Sequence, residues 1–397
     1  EEGRPTLPLR RRHRHCHHSS STARKESSQP AAMADPPALL PGLPDEISIW
    51  EILLRLPPKS LLRCRAVCRA WRGATSTRDF LLAHHARQPT LPILRGYNNV
   101  NGLSLDVTLF DHRAGVAAAD RLQSVARLGV GHANFTLESC CDGLLALSID
   151  DDSLCICNPA TRQYAPLPLL SQFHLMGMYQ HTPTGHYRLL LAPKEAKAQD
   201  GAYIYTLGSS QPPRLIDIQC SHVDQVIWAY GIVMFHGSIH WCIDNMIIVF
   251  DTTAESFRQM RIPVDPDGAD LFEMDGMLSM SIFNDAKTSI DIWMARDYES
   301  EIWTLKYRVE LPLAELTNQF GKFDELWWLV IISDEGDVLV LVKFDESVLQ
   351  IDMDGKLVAS IHCGDLGTTR LWFKQTLVSH TFFPTLEGYV VNAPPFI

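Results

Sequence analysis

The stretch Leu43–Trp71, LPDEISIWEILLRLPPKSLLRCRAVCRAW, carries more apolar surface than it can bury alone. It reads as two helices broken at Pro57-Pro58, because a proline ends the helix before it and is tolerated in the first turn of the next. At 100° per residue, Ile47, Trp50 and Leu54 fall on one face of the first helix, roughly 45–56, and Ile49, Ile52, Leu53 and Leu56 fall nearly opposite. Ser48, Glu51 and Arg55 form a narrow polar stripe between them. A helix that is apolar almost all round must be covered on two sides. In the second helix Leu61, Cys64, Val67, Cys68 and Trp71 form one apolar stripe, while Arg65, Arg69 and Arg72 line a basic edge. That stripe covers one face of the first helix. The other face needs a lid, either the rest of this chain or another protein. A unit of about 45 residues is near the size where a lone core is marginal. Each large side chain left exposed forgoes about 1.5–3 kcal/mol of burial.

Leu43-Pro44-Asp45-Glu46, the Ile52-Leu53-x-Arg55-Leu56-Pro57 run, Lys59-Ser60-Leu61-Leu62-Arg63, Val67-Cys68-Arg69-x-Trp71 and Asp79-Phe80 with His84-His85 follow one another in an order and spacing that resembles an F-box. The resemblance implies docking on a Skp-type adaptor, which links the chain to a cullin–RING ubiquitin ligase while the C-terminal domain selects the target. It makes Leu43, Pro44, Ile47, Ile52, Leu53, Leu56, Pro57, Leu61, Leu62, Val67 and Trp71 the candidates for anchoring that adaptor. Which of them face the adaptor and which face the unit's own core stays open at this level.

At 397 residues the chain has room for two or three domains. Its net charge of −11 is uneven: residues 1–32 carry seven basic and three acidic groups, which leaves the remainder near −15. An acidic body argues against general nucleic-acid binding. No run of 18 apolar residues occurs, and the densest, Leu326–Ile332, is strand-length, so no membrane span is expected. Residues 1–41 are dominated by Arg, His, Ser and Pro and are expected to be disordered. Residues 1–32 read as upstream or artefactual sequence before a start at Met33. Three sharper readings compete there: a nuclear-localisation patch at Arg10–Arg14, a metal site at His13, His15, Cys16, His17 and His18, and a transit peptide, which Glu1, Glu2 and Glu26 oppose. Without an apolar h-region no secretory signal is expected, so the ten cysteines are read as reduced, in a cytoplasmic or nuclear protein.

From about residue 89 long helical periodicity gives way to short Val/Ile/Leu/aromatic runs and turn dipeptides such as Asp142-Gly143, Asp275-Gly276 and Asp354-Gly355. An apolar run with, usually, a polar turn recurs at Leu109–Arg113, Ile156–Arg162, Ile204–Gly208, Val249–Thr253, Ile302–Leu305 and Gln350–Asp354. Between these lie inner-strand candidates such as Gly143–Leu147 and Gly237–Trp241. Successive instances lie roughly 45–54 residues apart, and a period of about 40–50 with four strands per unit is a propeller signature. Six units can be counted, with Thr381–Val391 as a strand to close the ring and residues 89–138 as the least regular blade. Ser139–Leu145, Cys157–Arg162, His236–Trp241, Ile248–Thr252 with Phe257, and Ile292–Met294 resemble the F-box-associated domain of the large plant F-box families, which implies a propeller-like, kelch-related interaction domain.

No catalytic constellation stands out: no phosphate loop, no nucleophile elbow, no H-E-x-x-H. Asp352–Gly355 opens like a calcium loop but lacks the later ligands and reads as a hairpin turn. His236 and His240 share a strand face and are read as packing, as are the tryptophans between blades. The expected architecture is multidomain: a disordered segment over 1–41, a small all-α F-box unit over 42–88, and an all-β propeller-like domain of about six blades over 89–397. The expected role is a non-catalytic substrate receptor of an SCF-type cullin–RING E3 ubiquitin ligase, with an unidentified target protein. No metal, cofactor, nucleic acid or membrane enters it. Two alternatives use the same helices as a dock: a scaffold outside any ligase, and a propeller that binds a small ligand or acts as an enzyme. A polar cluster at the ring axis, with perturbed acids or metal ligands, would mark the last.

Overall fold

The computed structural model describes residues 47–98, 103–115, 118–195, 201–218, 225–226, 232–243, 245–263, 269–284, 288–320, 328–334, 337–344 and 346–397. Leu43, Pro44 and the readings made for residues 1–41 lie outside them.

The helical unit is less regular than its periodicity suggests. Ser48–Ile52 is one π-helical turn and Leu53–Arg55 a 3-10 turn, so the chain winds first looser and then tighter than an α-helix. The phase expected from 100° per residue is lost. Leu53 and Leu54, which were expected on opposite faces, are both buried, at 3% and 1% exposure. Pro58 opens helix α1, Pro58–Val67, at a position where its missing N–H costs nothing. The expected long second helix breaks at Cys68, which is extended (φ −149°, ψ 157°). The Cys68 Sγ accepts the Trp71 N–H at 3.4 Å and so caps α2, Arg69–Ala74. Thr77 caps α3, Arg78–Arg87, through the Phe80 N–H.

The strand region forms six antiparallel sheets. The strands nearest the axis are Phe135–Cys141 in blade 1, Phe173–His181 in blade 2, Val233–Phe235 in blade 3, Asp270–Met274 in blade 4, Trp328–Asp334 in blade 5 and Gly367–Phe373 in blade 6. Gly143–Leu147 and Gly237–Trp241, expected as inner strands, instead belong to the second strands of blades 1 and 3. The strand that closes the ring is Gly367–Phe373, which pairs with Leu91–Asn98 (Leu91 opposite Phe373, Leu94 opposite Thr368) and completes blade 6 with Ser104–Phe110 and Leu122–Leu128. Blade 6 is therefore assembled from both ends of the domain, which explains why residues 89–138 look irregular in sequence. Within the Thr381–Val391 stretch, Val390–Val391 adds a short fifth strand to the outer edge of blade 1 rather than closing the ring.

Five of the six recurring motifs run along the third strand of a blade, each of a different blade; Ile302–Leu305 lies on the fourth strand of blade 4, whose third is Ser289–Asp297. The turn dipeptides Asp142-Gly143, His236-Gly237 and Asp275-Gly276 all join a first strand to a second, and both residues of each have positive φ, as a two-residue hairpin on right-twisted strands requires. The core is segmented. Six apolar clusters each straddle two neighbouring blades, so the ring is held seam by seam. Trp241, 1% exposed, fills the seam between blades 2 and 3 and donates its Nε1–H to the Met176 carbonyl at 3.3 Å.

Candidate functional site

A seventh apolar cluster holds Leu53, Leu54, Leu61 and Phe80 of the helical unit together with Leu377 of the segment that follows the closing strand. His84, fully buried, presents its Nε2 to the Leu56 carbonyl at 2.8 Å, and burial holds its pKa below the usual imidazole range. That contact satisfies a carbonyl left over where the 3-10 turn ends.

The unit is seated on one end of the propeller. Lys374 Nζ donates to the Ala86 carbonyl at 2.9 Å, and His85 Nδ1 lies 3.1 Å from the Gln375 carbonyl. His85 Nε2 stands 3.9 Å from Asp142 Oδ1, and Tyr187 donates its hydroxyl to Asp142 Oδ2 at 3.2 Å. The nearby His85 imidazole, with the Tyr187 hydroxyl, holds the Asp142 carboxyl below its ordinary pKa, against the opposing effect of burial. Asp142 turns the chain from first to second strand. The helices therefore cover the end of the ring where first strands meet second strands. The fourth strands that lead from one blade to the next, such as Arg214–Ile216, Ser256–Arg261 and Ile302–Glu310, finish at the opposite end.

Nine of the eleven candidate anchors lie among the described residues, and they divide by burial. Leu53 and Leu61 are spent on the unit's own core, with Leu61 fully buried. Leu56 and Trp71 are half-buried against that core. Ile47, Ile52, Leu62 and Val67 remain exposed at 43%, 44%, 40% and 71%, and Pro57 is exposed beside them in sequence. Val67 is outside because the helix breaks directly after it. The candidate set omits Trp50, which is 42% exposed with its ring 5.6 Å from Phe80; its place on the apolar helix face was the signal for it. A monomer rarely leaves five such side chains uncovered within 21 residues, and exposed apolar surface of this kind marks an interaction face.

The ring axis is polar in part. Arg370 of blade 6 meets Asp270 of blade 4 at 2.5 Å, past the intervening blade 5. Burial pushes the Asp270 carboxyl up to about 6, with Arg370 pulling the other way. A cavity of about 620 Å³ lies beside the pair, lined by Met178, Leu271, Glu273 and Trp372 among others. No local pattern announces this meeting, since the two residues stand on blades that are not neighbours. His240, by contrast, is fully buried with its Nε2 2.7 Å from the Tyr298 hydroxyl, and burial pushes its pKa down to about 4; His236 is exposed and stacks on Phe235. Among the described residues no group of three or more His, Cys, Asp or Glu is placed to hold a metal, and no helix is long and apolar enough to cross a membrane.

Comparison with known proteins agrees with this architecture. A family model for the F-box associated beta propeller domain matches residues 122–383, and an F-box-like model matches residues 40–87. An F-box protein of Arabidopsis thaliana is 24% identical over 68% of this chain and 79% of its own length. F-box protein CPR1 of the same plant is 21% identical over 79% of this chain and 83% of its own, and Putative F-box only protein 9 is 25% identical over 89% and 95%. With its helical unit and six-bladed ring both matched in order, the chain belongs to the F-box proteins that carry an F-box associated β-propeller domain.

Proposed function

We propose that this chain is the non-catalytic substrate receptor of an SCF-type cullin–RING ubiquitin ligase. Residues 42–88 hold a Skp-type adaptor and residues 89–397 hold a target protein, in the cytoplasm or nucleus. The observation that carries the reading is that Ile47, Ile52, Leu62 and Val67 stay exposed after the unit has filled its own core. An adaptor that covers these side chains gains about 1 kcal/mol or more from each, given that they are already partly covered. The placement of the helices suits the role. The adaptor meets one end of the ring, and the target meets the other, where the fourth strands finish. The propeller's contribution is proximity, raising the effective concentration of target lysines near the charged enzyme.

The test is co-expression of the chain with a Skp-type adaptor and affinity capture, beside the double variant Ile52→Asp, Val67→Asp. Both positions are exposed, so the variant folds, and capture is expected to fall at least about a hundredfold, near 2.7 kcal/mol. Undiminished capture of a folded double variant would overturn the assignment of this face.

A second reading, a small ligand at the ring axis, is favoured by the Asp270–Arg370 pair beside the 620 Å³ cavity. Substitution Arg370→Ala should then remove any ligand-induced rise in melting temperature while leaving adaptor capture intact.

A further inference from the structure

Between α3 and blade 2 lies a cleft of about 600 Å³, walled on its third side by residues 378–385. Its walls are unlike the rest of the chain. The protein carries 46 acidic side chains and a net charge of −11, yet among the described residues no carboxylate lines this cleft. One arginine, two imidazoles and six hydroxyl-bearing side chains do. The axial cavity, of similar volume, is lined instead by Glu273 and Asp275.

Two of these groups, Arg78 and His380, are uncommitted. Arg127, Arg188, Arg214, Arg261, Arg308 and Arg370 each face a carboxylate. Arg78, exposed at the start of α3, has neither an ion pair nor a side-chain hydrogen bond among the described residues. The His380 Nε2 is buried and has no hydrogen-bond partner, while its ring is fixed edge-on to Tyr187 at 5.1 Å and against Phe382 at 5.4 Å. Asp142, the carboxylate that acts on His380, is already engaged by the Tyr187 hydroxyl and by His85.

We propose that this cleft binds a small phosphorylated polyol. A phosphate suits the free guanidinium of Arg78, which can grip two oxygens at once. A hydroxylated carrier suits Ser379, Thr381 and the neutral imidazole of His380, which trade hydrogen bonds with sugar-like hydroxyls. The volume is that of a metabolite-sized site. Arg78 belongs to the helical unit and the other groups to the propeller, so the ligand bridges the two and stiffens a junction otherwise held by the few contacts around His85 and Lys374. This proposal does not depend on the adaptor reading.

Calorimetric titration of the full chain with glucose 6-phosphate, inorganic phosphate and glucose tests it. Saturable binding of glucose 6-phosphate is expected, weaker binding of phosphate and none of glucose. Arg78→Ala should weaken glucose 6-phosphate at least about tenfold, and Thr381→Val less, while Arg308→Ala, whose arginine is paired with Asp291 on the outside of blade 4, should leave it unchanged. No saturable heat at millimolar glucose 6-phosphate, or an Arg78→Ala variant that binds like the parent, would overturn the site. Glucose binding as tightly as its phosphate would overturn the anionic class, and phosphate binding as tightly as glucose 6-phosphate would overturn the polyol.

Discussion

In the propeller, each of six apolar seams joins two neighbouring blades, and the large side chains left in the open are scattered over many blades, as Tyr97, Leu215, Met234, Ile302 and Val358 are. In the helical unit, one small cluster borrows Leu377 from the propeller to complete itself, yet Ile47, Trp50, Ile52, Leu62 and Val67 remain uncovered within 21 residues. The propeller spends its hydrophobic residues on itself. The helical unit holds back about as many as it buries, and the proposed recruiting role of the helices rests on that difference.

The sharpest way to break that comparison is to empty one core in each region. Trp241→Ala opens the seam between blades 2 and 3 and should cost about 3–5 kcal/mol. Leu54→Ala should cost about 2–4 kcal/mol, because a small unit with irregular turns collapses more readily around a cavity. Chemical denaturation monitored separately in the two regions checks both. If Leu54→Ala melts the helices alone, the unit is a separate cooperative element; if the whole chain loses stability together, Leu377 and the His85 contacts couple the two.

The junction itself is tested by one substitution made twice. Gly143 and Gly276 occupy the same turn in blades 1 and 4, with φ of +80° and +70°. A Cβ on Gly276 meets nothing within 4 Å, whereas one on Gly143 would meet the Thr376 side chain at 2.5 Å and its backbone nitrogen at 2.8 Å. Gly276→Ala should cost about 1 kcal/mol from left-handed strain. Gly143→Ala should cost roughly 1–2 kcal/mol more, since the segment under the helices must move. Equal melting temperatures for the two variants would mean that the segment yields freely.

Much of this was legible in the sequence. The Asp-Gly dipeptides and the third-strand motif are local, so they report blade spacing directly, and the apolar excess of Leu43–Trp71 reports an uncovered face. What was not legible depends on distant or irregular geometry. Sorting Leu53 and Leu61 from Ile52 and Leu62 required the π and 3-10 turns, which shift the phase of the first helix, and the break at Cys68 exposed Val67. The closing strand escaped notice because its partner lies some 270 residues earlier, at Leu91–Asn98. Asp270 and Arg370 escaped for the same reason.

That axial pair offers a pH signature the helical unit lacks. The folded Asp270 carboxyl sits at about 6, above its ordinary value near 3.8. Between the two the folded chain holds a proton that the unfolded chain has released, so stability from this group is present below pH 4 and declines as pH rises to 6. The decline is on the order of 2 kcal/mol, with part of the full linkage lost to solvent at a side chain 14% exposed. Asp270→Asn should flatten this part of the stability profile measured from pH 4 to 7. An unchanged slope would assign it to other carboxylates.

The smallest expected effect is the most pointed. Val67→Asp places a charge on the most exposed large apolar side chain of the helical unit, at 71%. The same substitution at Val348, fully buried between blades 5 and 6, strands a carboxylate in an apolar seam and should unfold the blade. Val67→Asp should instead shift the free chain's stability by no more than about 0.5 kcal/mol, within the range of ordinary surface changes. A tolerated charge means that the free chain gains nothing from an apolar residue at this place, and that whatever keeps one there acts only when a partner covers it. A loss of several kcal/mol, read from the melting curve of the isolated protein, would mean that Val67 is covered within the chain, and the helical unit would then bury its surface in the same way as the propeller.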